Sequence, residues 1–156
     1  MTLRNRFSAL AWLLAALMAA PAAAELDISD PWVREAPPAA PVMAGYMSIR
    51  NGGTAAVHVI AVSSPEFARA ELHRTVVEDG IARMERVGQL EIAAGERVAL
   101  EPGGLHLMLF EPTQALQQGD SVTLFIHRAD GMCMTLQAPV RRDTVTDNAH
   151  PHHHTH

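Results

Sequence analysis

Four residues hold the chemistry available to this chain: His73, Met84, His106 and Met108, spaced as His-x10-Met-x21-His-x-Met. Two imidazoles and two thioethers make a donor set for a soft, low-coordinate ion such as Cu(I). Thioethers select Cu(I) strongly and bind hard cations hardly at all. No common organic mechanism needs two methionines, so the pattern points to holding a metal and away from catalysis. Taken singly, each residue has an ordinary reading. A histidine on a strand is more often a surface or hydrogen-bonded residue than a ligand, and a methionine is more often core filler. With 8 Met and 9 His in 156 residues, a set at these fixed offsets arises by chance roughly once in a thousand chains.

Strands must position such a set. Side chains alternate across a strand with period two, so His106 and Met108 leave the same face, roughly 7 Å apart at Cα. Leu107 and Leu109 then point to the opposite face, towards a core. Glu71–Val77 and Ile81–Val87 flank Glu78-Asp79-Gly80 and read as a hairpin, which brings His73 and Met84 into approximate register. The two pairs then converge at one rim. Gly103 and Gly104 permit a tight approach or a positive φ just before His106, or are simply a turn.

The remaining chain reads as short strands between turns. They are Tyr46–Arg50 before Asn51-Gly52-Gly53, Val57–Val62, Arg97–Leu100 before Pro102-Gly103-Gly104, His106–Phe110, Ser121–His127 and Met132–Ala138. This spacing indicates an all-β antiparallel sandwich. Glu25 to Pro41 is read as a leading segment, with the proline-rich 36–41 as an extended loop. The best helical candidate is Pro112–Gln118.

The stretches around the four residues carry a resemblance. They read Ala70-Glu71-Leu72-His73, Ile81-Ala82-Arg83-Met84, and Leu100-Glu101-Pro102-Gly103-Gly104-Leu105-His106-Leu107-Met108-Leu109. Earlier stands Ala44-Gly45-Tyr46-Met47-Ser48-Ile49-Arg50-Asn51-Gly52-Gly53. From about Trp32 to Val140 the chain resembles the PCu(A)C family of periplasmic copper chaperones. The resemblance implies a cupredoxin-like Greek-key sandwich and Cu(I) held by His73, Met84, His106 and Met108. It also implies delivery to the Cu(A) site of cytochrome c oxidase subunit II, with a thiol-reducing Sco-type protein as a further partner. With it, the metal reading of the four residues outweighs the ordinary one.

Composition sets the context. Arg4 and Arg6, the apolar run from Ala9 to Ala20, Pro21 and Ala22-Ala23-Ala24 read as a secretory leader cleaved after about Ala24, which places the mature protein in the periplasm. The run is too short for a comfortable span of ~20 residues, so no membrane insertion is expected after cleavage. The whole chain carries a net charge of −5 from 12 Arg and 17 acids; losing Arg4 and Arg6 gives 10 − 17 = −7. An acidic domain of this kind argues against nucleic acid and anionic membranes as partners. Lysine is absent, which removes Schiff-base chemistry and a P-loop lysine. No acid–base pair, nucleophile motif or cofactor loop suggests an enzyme.

The single cysteine, Cys133, allows no intrachain disulfide. An oxidising compartment would turn a thiolate pair into a disulfide, whereas thioether and imidazole ligands avoid that fate. Residues 25–142 are expected to form one copper-binding domain and 143–156 a disordered tail. That tail carries His150, His152, His153, His154 and His156, a tract that suits a second site for Cu(II). Met132-Cys133-Met134 is read as core packing, because a blue-copper centre needs Cys with two His and a weak axial Met close together. His58 and His127 are read as surface residues, and Met43 and Met47 as weak candidates for the copper rim. Two rivals to delivery are a copper-buffering or resistance protein, which shares the motif, and an electron-transfer cupredoxin, which the missing Cys-His-Met cluster opposes.

Overall fold

The computed structural model describes residues 26–142. The leader with its cleavage position and the histidine tail lie outside the described residues. Ten strands follow one another: β1 (Leu26–Arg34), β2 (Val42–Asn51), β3 (Val57–Ser63), β4 (Phe67–Glu78), β5 (Ile81–Arg86), β6 (Leu90–Ile92), β7 (Arg97–Leu100), β8 (Leu105–Pro112), β9 (Ser121–Arg128) and β10 (Cys133–Arg141). They run in the order β5-β4-β8-β7-β2-β1-β10-β9-β3-β6, and extra pairings β8–β2 and β4–β3 close the sheet on itself. The expectation of an all-β sandwich holds.

Alternation builds the interior. Leu107 and Leu109 on β8, Val122, Leu124 and Ile126 on β9, and Ala138 and Val140 on β10 are fully buried at every second position. They meet Val33, Ile49, Val57, Ile92 and Leu100 in one continuous core. No disulfide contributes, and burial of this set holds the domain together.

Four sequence expectations need correction. The sheet is not wholly antiparallel: β1 runs parallel to β10, and β7 parallel to β8. A strand lies in the leading segment ahead of those expected from the sequence, because residues 26–34 form β1. A bulge between Ser29 and Trp32 accommodates Pro31, with Asp30 at φ 48°; a proline without an N–H is tolerated at such an irregularity. Only 35–41 remains irregular. Pro112–Gln118 is not a helix: Pro112 ends β8, residues 113–117 are a bend followed by irregular chain, and only Leu116 is buried there. Among the described residues there is no helix. Finally, Met132 and Cys133 are exposed, and of that trio only Met134 packs against the core.

The β4–β5 hairpin turns on Asp79 and Gly80, both at positive φ (51° and 77°). Two successive positive-φ residues give the turn whose twist matches paired strands, and Asp-Gly is a favoured pair for it. β5 pairs only with β4 and is exposed throughout its length, so it forms one edge of the sheet.

Candidate metal centre

Register places all four candidate residues on one face. On β4 and β8, His73 lies opposite His106 and Glu71 opposite Met108. On β4 and β5, Thr75 lies opposite Met84 and His73 opposite Arg86. Directly opposed residues share a face, as do residues two apart. The hairpin register is therefore offset by two residues from a direct His73–Met84 pairing, yet both side chains still leave the same side. Leu72, Leu107 and Leu109 take the other side and pack in the core.

A recess of about 380 Å³ opens on this face. His106, Met108 and Met84 line it, with Thr75 between. Pro37, Tyr46, Pro102 and Gly103 also line it. Tyr46 is fixed by tilted stacking on Trp32, with ring centroids 4.7 Å apart, and by the Arg34 guanidinium 5.2 Å from its ring. His73 is not among the lining residues; its ring centroid lies 6.3 Å from that of His106. Met84 stands out from the edge strand at 61% exposure, whereas His106 is 5% exposed.

The hydrogen bonds determine which ring nitrogens are available. His106 Nδ1 lies 3.0 Å from the Gly104 carbonyl, which can only accept, so Nδ1 carries the proton. The same carbonyl accepts the Thr75 N–H at 3.1 Å, tying the turn to β4. That turn depends on Gly103 at φ 81°, a conformation L side chains rarely adopt. His73 Nε2 lies 2.8 Å from a Glu71 carboxylate oxygen and is likewise the donor. In each neutral ring the other nitrogen then holds a lone pair. Those nitrogens, His106 Nε2 and His73 Nδ1, are buried and have no hydrogen-bond partner. A buried acceptor without a partner is costly. Two such nitrogens, on neighbouring rings that each donate their second N–H to an oxygen, form the arrangement expected of metal-binding histidines.

Glu71 was not singled out by sequence reasoning. Its carboxyl is held below the usual carboxylate range, chiefly by the hydrogen bond from His73. Burial works the other way, and the Arg86 and Arg69 charges lower it further. With its folded pKa depressed, Glu71 keeps its charge, and its contribution to stability, until pH falls through that lowered value. It therefore stays ionised across the range in which free imidazole titrates.

Among the described residues no group of three or more His, Cys, Asp or Glu side chains is arranged to hold a metal ion. Among the described residues the candidate donor set includes the thioethers, so the site suits a soft ion and not a hard one. Cys133 does not line the recess. Met43 does, at its edge, while Met47 is buried in the core. His58 and His127 are half-buried and engaged with Gln89 and Ser63. His150, His152, His153, His154 and His156 lie outside the described residues.

Residues 26–140 match the family described as "Putative lipoprotein LpqE-like". The chain belongs to the LpqE-like family. This LpqE-like chain is 26% identical over 117 residues to "Putative lipoprotein Lxx21020" of Leifsonia xyli subsp. xyli, covering 74% of this chain and 69% of the relative. It is 28% identical over 114 residues to protein RP573 of Rickettsia prowazekii, covering 67% and 61% of the two chains. Among solved structures, it superposes on the copper-bound PCuAC domain from PmoF2 with a TM-score of 0.64. The identity there is 21%, over 77% of this chain and 96% of that domain. It superposes on the Cu(I) form of DR1885 from Deinococcus radiodurans with a TM-score of 0.60, at 25% identity over 83% and 85% of the chains. The LpqE-like chain thus has the cupredoxin-like β fold of PCuAC domains, and the family resemblance carried by its sequence stands.

Proposed function

We propose that this protein is a copper chaperone that binds Cu(I) through His73, Met84, His106 and Met108. One observation carries the reading. Two buried ring nitrogens lack partners on the sheet face that also presents Met108 and Met84. The copper-bound forms of the PCuAC domain from PmoF2 and of DR1885 support it. The chemistry is ligand exchange and involves no bond-making on a substrate. Met84, on the exposed edge strand, is the ligand an acceptor reaches first. A thiolate or imidazole of the acceptor displaces it, and the buried imidazoles follow.

Export to the periplasm agrees with the leader-like N-terminus and with the description of the family and of the Leifsonia xyli relative as lipoproteins. We assign delivery to the Cu(A) site of cytochrome c oxidase subunit II, directly or through a Sco-type protein. A copper-buffering or resistance role is the second reading; the five tail histidines favour it as a Cu(II) scavenger. Oxidase activity in a deletion strain separates the two. Delivery predicts a defect that added copper corrects, whereas buffering predicts intact oxidase and copper sensitivity.

The binding claim is tested by competition with a colorimetric Cu(I) chelator, comparing the mature protein with a tail truncation. Tight one-to-one binding that survives truncation is expected. Binding that disappears with the tail sinks the four-residue site. The same titration has a pH signature. Thioethers do not titrate, but a ligand nitrogen that takes a proton loses its lone pair. Affinity for Cu(I) should therefore fall as the solution is acidified. An affinity unchanged between about pH 7 and pH 5 counts against imidazole ligation.

A further inference from the structure

We infer that Glu71 is a positioning residue that makes His73 bind copper through Nδ1, while His106 binds through Nε2. The inference deepens the copper reading and rests on it. Glu71 Oε2 lies 2.8 Å from His73 Nε2, and the two side chains are 15% and 12% exposed. Its other oxygen, Oε1, lies 3.2 Å from Arg69 Nε and 3.9 Å from Arg86 Nε. Arg69 is itself held over the Phe110 ring at 4.2 Å, and that ring lies 6.4 Å from the ring of His73. One carboxylate oxygen is thus anchored by two guanidiniums, and the other is left for the imidazole. The anchored carboxylate can only accept, so the proton sits on Nε2 and the lone pair on the buried Nδ1.

The same contacts tie the ligand strands together. Arg86 lies opposite His73 and shares β5 with Met84. The backbone ladder from His73–Arg86 to Glu78–Ile81 holds the edge strand that carries Met84, and the Arg86 guanidinium reaches back from it to the Glu71 carboxylate. His106 is oriented independently, by the Gly104 carbonyl. The two imidazoles therefore reach one ion through different nitrogens because one is held by a side chain and the other by the backbone.

Long-range ¹H–¹⁵N correlation of the histidine rings tests this in the copper-free full chain at slightly alkaline pH. Wild type should show His73 as a single Nε2–H tautomer and His106 as Nδ1–H. In Glu71→Leu, His73 should become a tautomer mixture while His106 is unchanged. In Glu71→Gln, the one amide oxygen is drawn to the guanidiniums and the amide NH2 faces the ring, which should move the His73 proton to Nδ1. Both variants should bind Cu(I) about 10- to 100-fold more weakly, as expected for loss of an outer partner of a ligand. In the Cu(I)-loaded wild type, ¹⁵N shifts should mark Nδ1 of His73 and Nε2 of His106 as the bound atoms. A wild-type His73 protonated at Nδ1, a tautomer indifferent to both substitutions, or copper on His73 Nε2 overturns the inference. The copper-free spectra stand apart from copper binding. A wild type with the expected tautomers and no tight Cu(I) binding sinks the copper reading and leaves the clamp intact.

Discussion

Replacing His106 and Met108 together by alanine will remove tight Cu(I) binding and leave the domain folded. The loss should exceed the roughly 100-fold that marks removal of an outer partner of a metal ligand, because two direct donors disappear. The structure shows why the fold survives. Both side chains leave the outer face of β8, opposite Leu107 and Leu109, which are fully buried. The His106 side chain contributes one hydrogen bond, to Gly104, and that carbonyl keeps its bond from the Thr75 N–H. The lost hydrogen bond costs about 1 kcal/mol, and truncating the buried His106 ring adds a loss of packing outside the main hydrophobic core, so the midpoint should fall while the domain stays folded. Chelator competition reads the binding, and thermal unfolding reads the fold. Tight binding in a folded double variant would falsify the ligand assignment.

Asn51→Leu should do the reverse, lowering stability strongly and sparing the site. Asn51 is fully buried at the end of β2. Its amide donates to the carbonyls of Ala55 (2.7 Å) and Ile92 (3.0 Å), and its side-chain oxygen accepts the Gly53 N–H at 3.0 Å. Its backbone also bonds Glu96 and Gly95. The residue joins β2, the following turn and β6. Leucine has similar bulk but leaves three polar groups without their partner. Each unpaired buried group costs about 1–3 kcal/mol, so a loss of about 3–4 kcal/mol is expected. For a domain of this size the midpoint should fall by roughly 10–15 °C. Tyr46, at the recess, stands five residues up the strand, ~17 Å away by the strand rise. Copper affinity at a temperature where the variant is folded should therefore match wild type. A midpoint within about 3 °C of wild type would contradict the role given to this amide.

How far the sequence spoke for the structure depended on the range of each contact. The Asp79-Gly80 hairpin was legible because a local pair of residues sets its twist. The shared face of His106 and Met108 was legible from period two alone. The register between β4 and β5 was not, since a shift of two residues preserves the same faces; Met84 faces Thr75 and not His73. β1 was hidden by Pro31 and its bulge, and β6, at three residues, is too short to show alternation. The parallel pairings of β1 with β10 and β7 with β8 join distant or oppositely connected segments and leave no local signal. The stretch after Pro112 has helix-forming Ala, Leu and Gln, but a single buried side chain cannot hold a helix between Pro112 and Gly119. At the site, the ligand types were readable and their support was not. Glu71 precedes His73 by two residues, unremarkable as text. Its part emerges only when Arg69 and Arg86 are seen on its other oxygen.

The central claim is that this chain holds Cu(I) between two imidazoles and two thioethers on one sheet face. X-ray absorption at the copper K-edge, on Cu(I)-loaded protein ending at Arg142, tests it most directly. The claim predicts both sulfur and nitrogen among the atoms bound to copper, with the sulfur contribution reduced in Met108→Ala. A copper surrounded by nitrogen and oxygen alone would contradict it.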